Sequence, residues 1–288
     1  MSGYQEKIIK IAANVPERIV DVNAKRIKGR RPTQAMSSFL INVEQGNWAE
    51  DILREWTCKI LKGYEVVKYG KSDDIMAGDD AFPEFFEKYQ DELDTIGKRP
   101  DLLIFEGNKC KLKDISDSSF EEHKKIVPLA LMGWEVRSSS YLTEEYIPSE
   151  SSKRKFLSFT VKAEDIIIVL KWIKTYGVPH YYAQVFFDGV YVISFKKILE
   201  IITNEKNFKK NWFLDYPTKN QKKRTVVIDI AEGRKLATIT KLPAVVGTRK
   251  KLAAGRLLHY IKLEGGEMGI DEKILNEIIK EAKEDLKG

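Results

Sequence analysis

The chain has 288 residues, 43% hydrophobic and 10% aromatic, which suffices for one substantial core, or one core with an appended lobe, and excludes a chain that is disordered throughout. It contains no run of eighteen apolar residues, and its first fourteen residues lack the pattern of a secretory signal, so a soluble, cytoplasmic protein is expected. The net charge of +6 is unevenly spread: residues 205–256 hold 14 Lys or Arg against 4 Asp or Glu, an excess of ten that leaves the rest of the chain at −4. An acidic-leaning body beside a basic lobe suits a protein that holds carboxylates for a metal in one part and meets phosphates with the other. A solvated, lysine-rich surface accounts for the same counts.

Along the chain, residues 47–61 place Trp48, Ile52, Trp56 and Ile60 on one stripe with Ala49 and Leu53, a helix closed by Gly63. Residues 64–69 form a short β-branched run, and 82–96 form an amphipathic helix. Asp-Leu-Leu-Ile-Phe after Pro100 reads as a buried strand ending in a turn at Glu106-Gly107. Strands are expected over 129–138 and 156–162, separated by a polar surface loop at 149–155. An apolar helix with acidic residues in its first turn follows over 164–175. Segments 181–187 and 190–195 flank Asp188-Gly189, a hairpin signal. The order implies an α/β fold, a mixed sheet flanked by helices.

Beyond this, 198–211 looks helical until Tyr216-Pro217, and 225–230 with 235–240 read as a hairpin around 231–234. A terminal helix covers 270–287. A soft boundary near residue 200 divides 1–200 from a basic segment, 201–288, although the two can pack as one domain. Cys58 and Cys110 have neither disulfide nor zinc spacing and read as core thiols. His123, His180 and His259 lack metal-ligand spacing, and the aromatics of HYYAQVFF and Trp172 read as core. The absence of a Gly-rich phosphate loop argues against ATP dependence.

Phosphodiester hydrolysis requires a divalent ion held by carboxylates, often with a lysine near the attacking water. Asp101, in Arg99-Pro100-Asp101, opens one strand; Glu135, in Trp134-Glu135-Val136-Arg137, lies within another, where an unpaired carboxylate is costly. Strand alternation puts Glu135 and Arg137 on one face. Singly, Pro-Asp reads as a turn and Glu beside Arg as an ion pair; together, in this order of elements, they are more informative.

GNWAEDILREW, RPDLLIF, GWEVRSSSY, FTVKAEDI and VPHYYAQVFFDGVYVISF, spread over 46–195, resemble the PD-(D/E)XK nuclease superfamily. Within it they are similar to type II restriction endonucleases of the AccI-like and BsaWI-like branch. The resemblance implies a restriction-endonuclease-like core and Mg²⁺-dependent cleavage of double-stranded DNA at a short palindromic site, with Mn²⁺ as a substitute and 5′-phosphate ends. It also implies a homodimer or higher symmetric oligomer, and a DNA methyltransferase as functional partner. Asp101 and Glu135 would bind the metal. Two departures stand out: residues 108–126 lengthen the gap between them and carry a short helix, and Arg137 occupies the lysine slot. Arginine cannot act as a base, so Lys162 in Thr160-Val161-Lys162 is expected to serve, with Arg137 alone as the alternative. The resemblance, by position after Gly46, implies Glu50 as a third metal-binding carboxylate, with Glu55 as alternative; helical angles do not choose between them.

DNA contacts are expected from Lys219, Asn220, Gln221, Lys222, Lys223 and Arg224, from Arg249, Lys250 and Lys251, and from Arg137, Ser138 and Ser139. Solvation explains any one of them as well. Two rivals remain: a structure-specific nuclease of the same superfamily, which would cut only branched or mismatched duplexes, and a non-catalytic DNA-binding protein, for which Asp101→Ala would change nothing.

Overall fold

The structure is a computed structural model and describes residues 3–71, 75–107, 109–110, 112–148, 155–216, 224–252 and 255–287. Its first half comprises α1 (Gly3–Ala12), α2 (Ser37–Ile60), β1 (Tyr64–Lys68), α3 (Phe82–Thr95), β2 (Leu102–Glu106), α4 (Phe120–Ile126), β3 (Met132–Ser138) and β4 (Ser158–Lys162). There follow α5 (Ala163–Tyr176), β5 (His180–Val185), β6 (Gly189–Ser194), α6 (Phe195–Thr203), β7 (Trp212–Asp215), β8 (Thr225–Asp229) and β9 (Arg234–Lys241). The chain closes with β10 (Ala244–Lys251), β11 (Leu257–Glu264), β12 (Glu267–Ile270) and α7 (Glu272–Lys287).

Seven strands form one mixed sheet in the order β1-β2-β3-β5-β6-β9-β12. Only β3 and β5 run parallel, and β4 with α5 supplies the crossover between them. Both faces are covered, so β5 is buried at every position rather than alternating with polar residues. Tyr181, Ala183 and Val185 pack with Leu102, Ile104 and Trp134 beneath α2 and α7. Tyr182, Leu103 and Phe105 pack on the opposite face with α1, α5 and α6. Period-two alternation thus feeds two cores at once.

Residues beyond 200 are dealt among three sheets. β9 and β12 extend the large sheet, β8 lies between β4 and β7 in a three-stranded sheet, and β10 with β11 makes a two-stranded ribbon against α2. The expected hairpin of 225–230 with 235–240 is therefore corrected: those strands enter different sheets. The chain turns between them at 230–232, where Asp229 accepts the Ala231 N–H at 3.0 Å. The helix expected over 198–211 stops at Thr203, because Trp212 is drawn into the core by pairing of β7 with β8. α2 begins ten residues before its expected start. Leu40 packs with Ala35, Met76, Leu252 and Leu258, and this contact offsets the cost of Gly46 inside the helix. Cys110 is buried, but Cys58 is exposed on α2, contrary to its reading as a core thiol. Among the described residues, no helix is long and apolar enough to cross a membrane.

His180 sits fully buried at the start of β5, against Trp172, Tyr182 and Phe195, with no hydrogen-bond partner among the described residues on either ring nitrogen. Burial lowers its pKa to about 4, despite the opposing pull of Glu135. The folded state keeps the ring neutral while the unfolded chain takes up a proton near pH 6.5. Stability is therefore full above pH 6.5 and falls between there and pH 4, by about 3 kcal/mol from this residue. Urea unfolding of His180→Phe is expected to lose up to about 1.4 kcal/mol per pH unit of that dependence. An unchanged acid slope would contradict the assignment.

Candidate active site

β2 and β3 pair antiparallel with Leu102 opposite Trp134, so the same register sets Asp101, one residue before β2, opposite Glu135. The Asp101 Oδ2 accepts the Val136 N–H at 2.6 Å, fixing the carboxylate across the two strands. Gly133 makes room for Pro100: a Cβ there would lie 2.5 Å from the Pro100 ring. On the other side Gly97 adopts φ +87° against α5, and the Lys98 N–H donates to Ile168 O at 2.9 Å. The segment 97–101 is thereby held between a strand and a helix. Arg99 adds a third tie, donating to both Glu92 carboxylate oxygens on α3 at 2.5 Å and to Ser116 O at 2.7 Å. Ser116 lies in the inserted segment, whose expected short helix is α4, begun by a capping box of Ser119 and Glu122.

Glu135 is 2% exposed, and its two oxygens differ. Oε1 receives Lys98 Nζ at 2.5 Å and Arg137 Nη2 at 2.9 Å, whereas Oε2 is buried without a hydrogen-bond partner among the described residues. Asp165, in the first turn of α5, accepts from the same Lys98 and Arg137, each at 3.3 Å. Two carboxylates and two cations thus form a closed set, buried except where Arg137 meets the cleft, which geometry this close can sustain. Burial pushes the Glu135 carboxyl up, but Lys98 and Arg137 outweigh it and hold the group below the usual range. Burial and Arg137 push Lys98 down; Glu135 and Asp165 more than compensate, so it stays a firm cation.

Asp101 lies outside this neutralised set. Burial, then the carboxylates of Glu135 and Glu50, raise its carboxyl well above the ordinary range, with Lys98 and the Val136 N–H opposing. Such a group, next to an unpartnered Glu135 oxygen, offers hard oxygen donors to a divalent cation. Two protein carboxylates are a sufficient protein share for Mg²⁺, which keeps waters and phosphate oxygens for its remaining positions. Among the described residues no group of three or more His, Cys, Asp or Glu is gathered as a metal cluster. Glu50 stands close enough to the pair for its charge to act on Asp101.

These groups open into a cleft of about 400 Å³, lined by Asn42, Asn47 and Glu50 of α2, by Tyr89 and Glu92 of α3, and by Lys98, Asp101, Glu135 and Arg137. A second cavity shares Glu50, Lys71 and Asp101 with it and adds Lys68, Lys250 and Lys262, a basic rim beside the carboxylates. Glu50 lines the cleft, whereas Glu55 is exposed elsewhere and pairs with Lys59 at 2.6 Å.

Lys162 does not line the cleft, although its charge reaches Asp165. It ends β4 in the three-stranded sheet, exposed, and α5 begins at the next residue. The lysine that pairs with Glu135 is Lys98, which the sequence reading passed over along with Asp165; only the basic pair Lys98-Arg99 ahead of Pro100-Asp101 and the acidic start of a buried helix hinted at them.

Of the expected surface contacts, Arg137 is committed to Glu135 and Asp165, while Ser138 lines the cleft beside it. Ser139 is half-buried and donates its N–H to Val185 O at 2.9 Å. Arg224 is occupied by backbone, its Nη1 donating to Arg18 O at 2.6 Å. Arg249 and Lys251 are exposed and Lys250 half-buried, all at the end of strand β10. Lys219, Asn220, Gln221, Lys222 and Lys223 lie outside the described residues. His123 is buried with Nε2 2.8 Å from Ile115 O, and His259 is exposed on β11.

A family model described as AccI restriction endonuclease matches residues 1–152 and 145–285. No curated protein and no solved structure matches the chain.

Proposed function

The chain belongs to the AccI restriction endonuclease family, and from that premise we propose a Mg²⁺-dependent type II restriction endonuclease with a PD-(D/E)XK core. It cuts double-stranded DNA at a short palindromic sequence and leaves 5′-phosphates. The observation that carries the chemistry is the setting of Asp101 against Glu135, with one Glu135 oxygen buried and unpartnered.

Asp101 and Glu135 would hold the Mg²⁺, which when bound neutralises phosphate charge and makes water a better nucleophile. Lys98 keeps Glu135 ionised, and as a fixed cation it draws a phosphate oxygen toward the strand ends. It is held too firmly protonated to act as a base, so it orients and polarises rather than accepting the proton. Arg137 in the lysine slot adds a second positive charge, and Asp165 keeps both cations in place. Glu50, on the cleft wall, is placed to orient the attacking water. The basic rim of Lys68, Lys71, Lys250 and Lys262 takes flanking phosphates. A symmetric dimer would present two such sites to the two antiparallel strands, with a methyltransferase protecting the cell's own copies of the site.

Incubation with phage DNA and Mg²⁺, followed by sequencing of the fragment ends, tests this reading. Discrete fragments sharing one palindrome at 5′-phosphorylated ends are expected; cleavage confined to branched duplexes, or none at all, would overturn it. Lys98→Met is expected to lower single-turnover cleavage by on the order of 10²–10³. Lys162→Met should stay within about threefold of wild type. The reverse order would restore Lys162 to the active site.

A further inference from the structure

Residues 27–34 run in the open between two fixed points. At one end the Arg26 side chain, 10% exposed, donates to Asp94 at 2.9 Å, to the Gln90 side chain at 2.8 Å and to Gln90 O at 3.0 Å. At the other, Ala35 is 2% exposed and its N–H donates to Ala77 O at 3.1 Å, just ahead of α2. Every residue from 27 to 34 is exposed, none belongs to a helix or strand, and Ile27 is 91% exposed. The segment holds Lys28, Arg30 and Arg31 and no acidic residue. Lys28 pairs with Asp91 at 2.7 Å. Among the described residues, neither Arg30 nor Arg31 has a hydrogen bond or ion pair.

Its position ties it to the cleft. Gln90, Asp91 and Asp94, which grip the segment, alternate along α3 with Tyr89 and Glu92, which line the cleft, and a helix is only about 10–12 Å across. The segment then leads into α2, whose Asn42, Asn47 and Glu50 form the facing wall. Eight extended residues span about 26 Å, most of a turn of duplex.

We propose that residues 27–34 form an arm lying in the minor groove of the substrate duplex beside the cut, with Arg30 and Arg31 entering the groove. This deepens, and rests on, the nuclease reading above. A single extended chain fits a groove about 6 Å wide, whereas a helix or a two-stranded ribbon needs the major groove, about 12 Å wide. Arginine is drawn to the negative potential of a narrow A·T-rich minor groove. Pro32 holds Arg31 extended, and a Cβ on Gly29 would meet nothing within 4 Å, which leaves the backbone open to close approach. The arm thus reads sequence beside the site, while the carboxylates act on the phosphate.

The test is fluorescence anisotropy in EDTA on duplexes carrying the cleavage site flanked by A·T or by G·C pairs, over a range of salt. For Arg30→Ala/Arg31→Ala we expect affinity about tenfold or more below wild type near 0.15 M salt, and a salt slope smaller by about 2. The wild-type preference for A·T flanks should vanish with it. Lys273→Ala/Lys280→Ala on α7, removing the same charge, should keep both slope and preference. An unchanged slope in the arm variant overturns the proposal, and a smaller slope with the flank preference intact overturns the groove placement. Wild-type protein that neither binds nor cuts any duplex overturns the nuclease reading and the arm together. Wild-type cleavage with an indistinguishable arm variant overturns the arm alone.

Discussion

Asp101→Asn is expected to reduce DNA cleavage by on the order of 10³ or more while leaving duplex affinity in EDTA within a few fold of wild type. The amide keeps the size of the side chain and an oxygen for the Val136 N–H, so the strand junction survives. What goes is the charge that would hold the metal. The same substitution has a second, opposite signature. Burial, Glu135 and Glu50 already disfavour the ionised form of Asp101, so without metal a neutral side chain removes a penalty rather than an asset. Thermal unfolding in EDTA at neutral pH should give an unfolding midpoint at or above that of wild type. Loss of activity together with loss of stability would point to damage of the fold instead. Wild-type cleavage rates would remove Asp101 from the chemistry.

Gly97→Ala is expected to destabilise the protein by about 4 kcal/mol or more, visible as a drop in unfolding midpoint of roughly 10 °C. The added methyl would sit 2.1 Å from Ile168 O and 2.5 Å from Trp172 N, both backbone atoms of α5 that no rotamer change can move. The φ of +87° adds strain for any residue with a Cβ. Relief requires the 97–101 segment to leave α5, which breaks the Lys98 N–H bond to Ile168 O and withdraws the lysine from Glu135. Surviving folded protein should therefore also cut poorly at low temperature. A loss under about 1 kcal/mol by urea unfolding would show that the segment is not held by this contact.

How far the sequence could be read follows from what each signal is made of. The strands around the site were legible because they are short apolar runs bounded by Pro, Gly or Asp. The register that sets Asp101 opposite Glu135 required only that β2 and β3 be neighbours. Lys98 was not legible. Its role depends on Gly97 bringing the loop against α5, a contact between residues far apart in sequence. Asp165 was hidden behind a local explanation, since an acidic first turn suits any helix. Lys162 was expected beside the active strands because Thr160-Val161-Lys162 ends the next strand in sequence, whereas β4 pairs with β8 in another sheet. Helix geometry left Glu50 and Glu55 undecided until packing of α2 on β3 turned one toward the cleft. The ribbon of β10 and β11 escaped because it is exposed along most of β10 and so carries no buried-face alternation.

The central claim is that Asp101 and Glu135 share one divalent ion. Anomalous scattering from Mn²⁺ in crystals of the protein with an uncut duplex measures it directly. The account predicts a peak between an Asp101 carboxylate oxygen and Glu135 Oε2, about 2.0–2.2 Å from each, and its loss in Asp101→Asn. A peak elsewhere in the cleft, with the two carboxylates still hydrogen-bonded as they are without metal, would contradict it.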